Sequence, residues 1–308
     1  MITFGLALPH YDALFPDRTV TGARRTQAAL DYARHAEERG FDQIWVSDHL
    51  GLELDTGQRR LSPDCWSLLA ALATATDRVR LGSLVTNAPL RASALLARQV
   101  ATVTDIAGAR VDLGLGAGWN TREFAEVLGS MPPTNERLQA VEDSADTVRR
   151  HLGANAPPIW VGGKRRGILT VAGRKADGWN LAWDPTPETY HQRSRMLANT
   201  AREAGRVPSG IQHAIGLTTF LGADEGELRR RWKHLRRWVL GGHLDDADFD
   251  AWRQRGLIGT PEEVRNRISR WEEHGVSHIV CAFGIPFGIC DDQQLSLFSE
   301  TVLGRVSA

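Results

Sequence analysis

The strongest constraint in this sequence is a regular alternation between short apolar runs and longer stretches with helical spacing of apolar residues. The pattern predicts eight strand–helix pairs in chain order. The strands are predicted at 2–8, 41–46, 79–85, 110–115, 158–161, 177–181, 211–221 and 277–283. The helices are predicted at 26–39, 65–76, 92–107, 138–152, 168–174, 188–204, 261–273 and 294–303. Strands joined through helices form parallel sheets, and eight such units predict closure into a (β/α)8 TIM barrel.

The barrel is expected to form one domain over residues 1–308, because no segment has the Pro-, Gly- or Ser-rich composition of a linker. An open doubly wound sheet is the alternative, but it leaves too many strands for one nucleotide-binding unit. Extended loops are predicted after strand 4 (116–133) and after strand 7 (222–258). Both follow the carboxyl ends of strands, the face that carries the active sites of barrels.

Net charge argues against two classes of partner. The chain has 37 basic and 37 acidic side chains, whereas binding to nucleic acid or to an anionic membrane surface depends on a basic excess. One basic stretch, 228–238, has its apolar residues at helical spacing. It predicts an amphipathic helix with a solvated basic face, placed near the site in the position of a lid.

The cysteines and the N-terminus indicate a cytoplasmic protein. Cys65, Cys281 and Cys290 are odd in number and none belongs to a C-x-x-C pair, so neither a disulfide framework nor a structural zinc site is expected. The first residues lack the basic region of a signal peptide. The longest apolar stretch, 68–75, is far short of the roughly 20 residues that a membrane span requires.

Asp48 and His49 end the second predicted strand. An imidazole at the catalytic face suits proton transfer, because its usual pKa of about 6.5 lets it bind or release a proton near neutrality. Asp48 can orient the imidazole or stabilise its charge. The alternative is a structural histidine that caps the loop.

Two glycine-rich segments follow later strands. The first, 114–120, has glycine at alternate positions, which allows a flat ring or a phosphate to approach the backbone, although it lacks the dinucleotide-binding spacing and also suits close packing. The second places Gly162 and Gly163 before three cations, 164–166, at the start of a predicted helix. A helix N-terminus with added positive charge predicts an anion site, and a tight turn with solvated charges is the alternative.

Taken together, six segments resemble the luciferase-like superfamily of flavin- and deazaflavin-dependent oxidoreductases. They are 4–9 (FGLALP), 36–49 (AEERGFDQIWVSDH), 80–86 (RLGSLVT), 115–120 (LGAGWN), 176–179 (ADGW) and 259–264 (GTPEEV). The resemblance runs nearly from end to end and is greatest to the branch that uses coenzyme F420, an 8-hydroxy-5-deazaflavin. It implies an F420-dependent oxidoreductase that moves a hydride between C5 of the deazaflavin and a small organic substrate.

The resemblance also implies roles for individual residues. His49 is expected to transfer a proton beside the ring, Asp48 to contact the cofactor, and Leu84–Val85 to be a cis peptide that props the ring. The cofactor-binding residues implied are Asp48, His49, Leu84, Val85, Thr86, Gly116, Ala117, Gly118, Trp119, Asn120, Gly162, Gly163, Lys164 and Arg165. No metal site is implied.

One position departs from the resemblance. The sugar-phosphate dehydrogenases of this branch carry a glutamate acid/base where this chain has Trp119. A tryptophan there implies a stacking wall for an apolar or aromatic substrate, and Trp183 and Phe287, which also follow barrel strands, favour the same interpretation. The expected reactions are reduction of a C=C or C=N bond or oxidation of an alcohol, in secondary metabolism.

Three other functions are considered. An FMN-dependent monooxygenase with a separate reductase uses the same scaffold, and a non-catalytic flavin carrier needs only the binding site. A metal-dependent barrel hydrolase is disfavoured, because His10 stands alone where a His-x-His motif would follow the first strand. For the F420 enzyme, the expected partners are a small-molecule substrate, a separate cofactor-reducing enzyme and a second copy in a homodimer.

Overall fold

Eight parallel strands close into a cylinder at the centre of the molecule. The structure, a computed structural model, describes residues 2–11, 13–14, 19–20, 23–53, 59–236, 248–283 and 291–304. The barrel strands are β1 (Thr3–Ala7), β2 (Gln43–Val46), β3 (Arg80–Ser83), β4 (Val111–Gly116), β5 (Ile159–Gly162), β6 (Gly178–Leu181), β7 (Gln212–Leu221) and β8 (His278–Phe283). Each strand pairs in parallel with the next, and β8 pairs with β1. The predicted (β/α)8 TIM barrel is therefore confirmed.

Helices surround the cylinder and bury their apolar sides against it. They are α1 (Ala23–Glu38), α2 (Cys65–Ala75), α3 (Ser93–Ala107), α4 (Thr121–Leu128), α5 (Thr134–Leu152), α6 (Arg166–Lys175), α7 (Pro187–Glu203), α8 (Glu225–Leu235), α9 (Phe249–Trp252), α10 (Pro261–Glu273) and α11 (Asp292–Phe298), which runs into the turn Ser299–Leu303. None of the helices in the described part of the chain combines the length and apolar character that a membrane span needs.

Short additional strands occur in the loops that connect the barrel elements. Two antiparallel hairpins follow β1 and β2, formed by Ala13–Leu14 with Thr19–Val20 and by Gly51–Glu53 with Arg59–Leu61. Thr86–Asn87 continues in parallel beside β4, and Leu257–Gly259 lies beside β7. The predicted third strand was too long, because β3 ends at Ser83 and the chain bends before it pairs again.

Both extended loops contain helices, of which the sequence predicted only the one that overlaps 228–238. The segment 116–133 includes α4, which begins after the Asn120 cap and ends at Gly129, a residue in the left-handed conformation (φ 80°). The segment 222–258 includes α8 and α9. The predicted basic amphipathic helix is confirmed as α8, which buries Leu228, Trp232 and Leu235. The predicted segment extends to 238, and its last residues lie outside the described ranges.

Two tryptophans fill the inside of the cylinder. Trp45 on β2 and Trp160 on β5 are almost fully buried and meet edge to face at 5.8 Å between ring centroids. Glycine on neighbouring strands makes room for them: a Cβ at Gly82 would lie 2.4 Å from the Trp45 ring, and one at Gly178 would lie 2.2 Å from the Trp160 ring. A large side chain on one strand therefore faces a glycine on the neighbouring strand, as close packing requires.

The two mouths of the barrel differ in how their polar groups are satisfied. The N-terminal mouth is a pit of about 710 Å³ that is lined by both charged and apolar side chains. Its main charges are paired: Arg80 donates to both oxygens of Asp112 (2.8 and 2.9 Å), and Arg149 pairs with Asp177 (3.0 Å). The C-terminal mouth carries the loops after the strands, and it holds the candidate site described below.

The cysteines of the described ranges are separate and reduced. Cys65 and Cys281 are buried and free, whereas Cys290 lies outside the described residues. Burial raises the pKa of both thiols, so they are poor nucleophiles at neutral pH.

The glycine at position 114 should be essential for closing β3 against β4. A Cβ added there would lie 1.9 Å from the backbone oxygen of Ser83. We expect Gly114→Ala to lower the free energy of unfolding by about 2–3 kcal/mol and the melting temperature by several degrees. The control is Gly210→Ala, whose Cβ would meet nothing within 4 Å. Equal melting temperatures for the two variants would contradict the packing argument.

Candidate active site

His49 lies just beyond the end of β2 and contacts a buried carboxylate. Its Nδ1 is 3.0 Å from Oε1 and 3.2 Å from Oε2 of Glu123, which comes from α4, and the Leu50 amide also donates to Oε1 (3.0 Å). The Glu123 side chain is only 2% exposed, against 16% for His49. The structure thus places the predicted histidine at the C-terminal mouth, with an acidic partner 74 residues away in the chain.

Asp48 has a different partner from the one expected for its role on the imidazole. Its carboxylate accepts two hydrogen bonds from Arg91 (2.6 and 3.0 Å) and one from the Asn87 amide (2.9 Å). Arg91 also donates to Asp64 (2.8 Å), the N-cap of α2. Asp48 therefore ties the loops after β2 and β3 together, and the carboxylate on the His49 ring is Glu123. Its contact with a cofactor stays a prediction.

The short helix α4 is held from several sides. The Asn120 side chain accepts from the Arg122 amide (3.1 Å) and so caps its first turn. Glu126, one turn after Glu123, forms a bidentate ion pair with Arg59 of the hairpin after β2 (2.7 and 2.8 Å). The loops after β2 and β4 are consequently joined through both Glu123 and Glu126.

Trp119 is presented at the mouth by a fixed turn. Its side chain is 67% exposed and lies edge to face with His49, at 5.5 Å between ring centroids. Arg137 donates to the carbonyls of Ala117 (3.0 Å) and Gly118 (2.7 Å). Gly118 has φ 66°, and a Cβ there would lie 2.5 Å from Asn87 Oδ1, so only glycine fits. The indole is thus an exposed ring on a rigid support.

The floor of the mouth is made of glycines that leave space for one valine. The Leu84–Val85 peptide is cis, as expected, and the Val85 side chain lies over Gly116 and Gly162. A Cβ at these glycines would come within 2.4 and 2.8 Å of the Val85 methyl groups. The Thr86 hydroxyl is fully buried, where it accepts from Trp66 and donates to Ser83. The side chain of Thr86 therefore supports the floor from below.

A second non-proline cis peptide, Ala182–Trp183, follows β6 and was not expected. The Trp183 ring packs above Trp45 and Trp160, against the space left by Gly216. Asp184 accepts from the amide and the hydroxyl of Thr218 (both 2.7 Å), which fixes the strand end. Trp183 thus joins the mouth as expected, whereas Phe287 lies outside the described residues.

Positive charge collects where α6 begins. Lys164, Arg165 and Arg166 are exposed, and no ion pair joins them to another residue in the described ranges. Arg165 is the N-cap and provides no side-chain cap, so first-turn amides remain available to an anion. Burial and the nearby charge of Arg165 lower the pKa of Arg137. The geometry suits an anion, with one restriction: the Gly163 amide already donates to the Asn180 carbonyl (3.1 Å).

Two buried polar atoms near the mouth have no hydrogen-bond partner among the residues described. They are Oδ1 of Asn87, beside Gly118, and Nδ2 of Asn180, on β6 next to Gly162 in the sheet register. An unsatisfied buried polar atom is costly, and a polar ligand can remove that cost. Both atoms lie on the elements expected to line a cofactor.

A buried chain of hydrogen bonds supports the strand ends beside His49. His10 Nδ1 is 2.7 Å from the Leu8 carbonyl, His10 Nε2 is 3.2 Å from Ser47 Oγ, and Ser47 Oγ is 2.7 Å from Tyr11 Oη. Because a carbonyl only accepts, Nδ1 carries the proton of the neutral ring. Ser47 then donates to Nε2, and Tyr11 donates to Ser47. Burial lowers the pKa of His10 to about 4, so this histidine is neutral near pH 7.

Sequence reasoning did not select Glu123, Arg91 or Arg137. Arg91 and Arg137 sit among many arginines and have no distinguishing neighbours in the sequence. Asn120 followed three residues later by Glu123 is a helix-start pattern that could have revealed α4. No group of three metal-ligating side chains occurs within the described ranges.

Comparisons with known proteins agree with this geometry. A family model described as luciferase-like monooxygenase matches residues 11–278. The chain is 24% identical over 324 residues to a 5,10-methylenetetrahydromethanopterin reductase of Methanolobus tindarius, covering 89% of this chain and 94% of that protein. It is 26% identical over 317 residues to an F420-dependent glucose-6-phosphate dehydrogenase of Microbacterium testaceum, covering 90% and 92%.

The fold is shared with solved structures. An F420-dependent secondary alcohol dehydrogenase in complex with an F420-acetone adduct superimposes with a TM-score of 0.78. The match covers 98% of both chains at 20% identity. At this identity, the likeness demonstrates the barrel architecture.

The buried His10 should make the stability of the protein depend on pH. The unfolded chain takes up this proton near pH 6.5 and the folded chain only near 4, so the free energy of unfolding falls as the pH drops between these values. A shift of this size corresponds to about 3 kcal/mol. His10→Gln keeps one donor and one acceptor without titrating, and we expect it to lose part of that pH slope.

Urea unfolding midpoints from pH 8 to 4.5 measure this effect. Burial also lowers the pKa of His213 and His278, so a residual slope in the same direction is expected. An unchanged slope in His10→Gln would show that His10 does not control acid stability.

Proposed function

Because the chain belongs to the luciferase-like monooxygenase family, we propose that it is an oxidoreductase that uses coenzyme F420. The reaction is hydride transfer between the deazaflavin and a small organic substrate, coupled to a proton transfer by His49. The observation that carries the proposal is the convergence at one barrel mouth of the His49–Glu123 pair and the cationic start of α6. Two relatives whose descriptions name F420, or a reaction on a methanopterin, cover about nine-tenths of the chain and support the choice of cofactor.

The residues at the mouth fit such a cofactor. Gly116 and Gly162 allow close approach of a flat ring above Val85, and the orphaned atoms of Asn87 and Asn180 offer one acceptor and one donor to a polar ring edge or chain. The exposed cations 164–166 and the uncapped N-terminus of α6 suit a phosphate and further anionic groups. F420 carries a phosphodiester and a carboxylate-bearing tail, so it uses this charge more fully than FMN does.

Coenzyme F420, when bound, supplies or accepts a hydride at C5 and reacts poorly with oxygen. The protein then has to manage one proton. His49 can hold it on Nε2, the ring nitrogen directed away from Glu123, and deliver it to the substrate heteroatom as the double bond is reduced. In the oxidative direction, the same nitrogen removes the proton of the alcohol. Asp48 and Arg91 keep the strand ends in register, so the imidazole has a fixed position.

The substrate is an apolar, planar compound with a C=O, C=C or C=N bond, such as an intermediate of secondary metabolism. Trp119 and Trp183 provide two aromatic surfaces beside His49 and above the floor. Where the sugar-phosphate dehydrogenases are expected to place an acid/base glutamate, this chain has an uncharged ring. We also propose a homodimer, and a separate enzyme that reduces the cofactor.

Cofactor titration tests the proposal. We expect the fluorescence of F420 to change on binding, with a Kd in the micromolar range. We expect FMN to bind at least roughly tenfold more weakly, because only F420 uses the extra cations. The paired change Lys164→Ala with Arg165→Ala should weaken F420 binding about tenfold. The matched control removes two cations from the other end of α6, Arg174→Ala with Lys175→Ala, and should bind as the wild type does. Tight FMN binding without F420 binding would favour the monooxygenase instead.

The indole of Trp119 should control substrate choice. We expect Trp119→Ala to raise KM for planar apolar ketones and enones roughly three- to tenfold, because an aromatic contact of about 0.5–1.5 kcal/mol is lost. Leu128→Ala, which trims an exposed apolar side chain at the far end of α4, is the control. If glucose 6-phosphate were the better wild-type substrate, the assignment of an apolar substrate would be wrong.

A further inference from the structure

Among the charged groups in the described part of the chain, Glu123 makes the closest contact with His49, the candidate proton carrier. Both of its oxygens lie within 3.2 Å of His49 Nδ1. The carboxylate is almost fully buried, and beyond the imidazole it accepts only from the Leu50 amide among the described residues. Burial of a carboxylate with so few partners costs free energy unless a neighbouring group donates a hydrogen bond to it. A neighbour that can also become positively charged lowers this cost further.

The position of Glu123 is imposed by its surroundings. The helix that carries it is capped by Asn120 and fastened by the Arg59–Glu126 ion pair. Phe124, the next residue, is fully buried. A glutamate in the first turn of a surface helix ordinarily faces solvent or its own cap, whereas this one is turned inward onto the ring.

This contact determines which nitrogen of His49 carries the proton. A carboxylate only accepts, so Nδ1 must donate, and in the neutral ring Nε2 is then unprotonated. When the ring is protonated, both nitrogens carry hydrogen and the negative charge of Glu123 stabilises the cation. The reactive nitrogen, Nε2, is therefore a base when the ring is neutral and an acid when the ring is protonated.

Other polar groups near the imidazole do not provide this charge. They are His10, Tyr11, Asp48 and Arg91. His10 is buried and neutral, and the Tyr11 hydroxyl donates a hydrogen bond to Ser47. The charge of Asp48 is compensated by Arg91, which donates to both of its oxygens. Glu123 is consequently the one anion placed directly on the ring within the described ranges.

We propose that Glu123 is the positioning residue of the proton-transfer step, fixing the Nδ1–H tautomer of His49 and stabilising its imidazolium form. This inference rests on the proposed function. In reduction of a C=O or C=N bond, a hydride supplied by bound F420 would add to the carbon and the π electron pair would move to the heteroatom. The Nε2–H bond of the imidazolium would break as the heteroatom–H bond forms. Glu123 keeps its hydrogen bond to Nδ1 throughout, and the neutral imidazole regains its proton from solvent.

The test begins with the protein alone, without cofactor. Proton–nitrogen correlation spectra of histidine-labelled protein report the tautomer of His49, with His49→Gln identifying its signals. We expect the Nδ1–H tautomer in the wild type and a mixture with the Nε2–H tautomer in Glu123→Gln, because a carboxamide can donate to Nδ1 as well as accept from it. The amide of this variant can still accept from Leu50, so the loop should remain folded. Glu203→Gln, which changes an exposed glutamate in the last turn of α7, is the matched control and should leave the spectra unchanged.

Activity gives the second reading. With F420 and a substrate, Glu123→Gln should lower kcat roughly 10- to 100-fold, with the substrate KM and the cofactor Kd unchanged within about twofold. Glu123→Asp, which keeps the charge, should recover part of the lost kcat and of the Nδ1–H tautomer.

The outcomes separate the inference from the proposed function. An unchanged tautomer in Glu123→Gln, with only a lower melting temperature, would overturn the inference and leave Glu123 as a support for the loop. A changed tautomer in Glu123→Gln, in a protein that binds no F420, would support the His49–Glu123 coupling and overturn the proposed function.

Discussion

The packing of two indoles inside the barrel determines how the sheet closes and what forms the floor of the candidate site. Trp45 and Trp160 occupy the cross-section of the cylinder, and the sheet closes around them because glycine stands beside each ring on a neighbouring strand. The layer above is therefore built from small residues. Val85 and Trp183, which come after their strands have ended, occupy the space that remains. The floor of the candidate site is thus a consequence of how the interior is packed.

Above that floor, the loops are held in place by side-chain interactions and no longer by the hydrogen bonds of the sheet. Arg91 joins the loops after β2 and β3 through Asp48, and Arg137 holds the turn that presents Trp119. Glu123 then joins α4 to His49. Groups held by buried, hydrogen-bonded partners lose little free energy to reorganisation when a reaction occurs, and a hydride and proton transfer needs such a fixed geometry.

The chemistry proposed for the site follows from which groups are left unsatisfied. Within the described part of the chain, the exposed cations at the start of α6 have no ion-pair partner, and polar atoms without a hydrogen-bond partner lie on the loop after β3 and on β6. Such groups are costly in isolation and point to a polar, anionic ligand. The Trp119 ring adds an apolar wall at the same mouth. Together they favour a large anionic redox cofactor and a small apolar substrate, with His49 as the group that exchanges the proton.

The sequence by itself determined the barrel, because the period of apolar residues reports which side of each strand and helix is buried, and that signal repeats over the whole chain. It also located His49 and Gly162, since each belongs to a contiguous segment at the end of a strand, whereas the cis peptide at Leu84–Val85 was implied only by the resemblance to the luciferase-like family. Only the tertiary structure assigned the partners. Asp48, adjacent to His49 in the chain, turned out to bind Arg91, whereas Glu123, 74 residues away, lies on the imidazole. Likewise, the Gly163 amide is used by Asn180 within the sheet. Pairing between distant loops depends on how the barrel brings strand ends together, and no local pattern of residues encodes that distance.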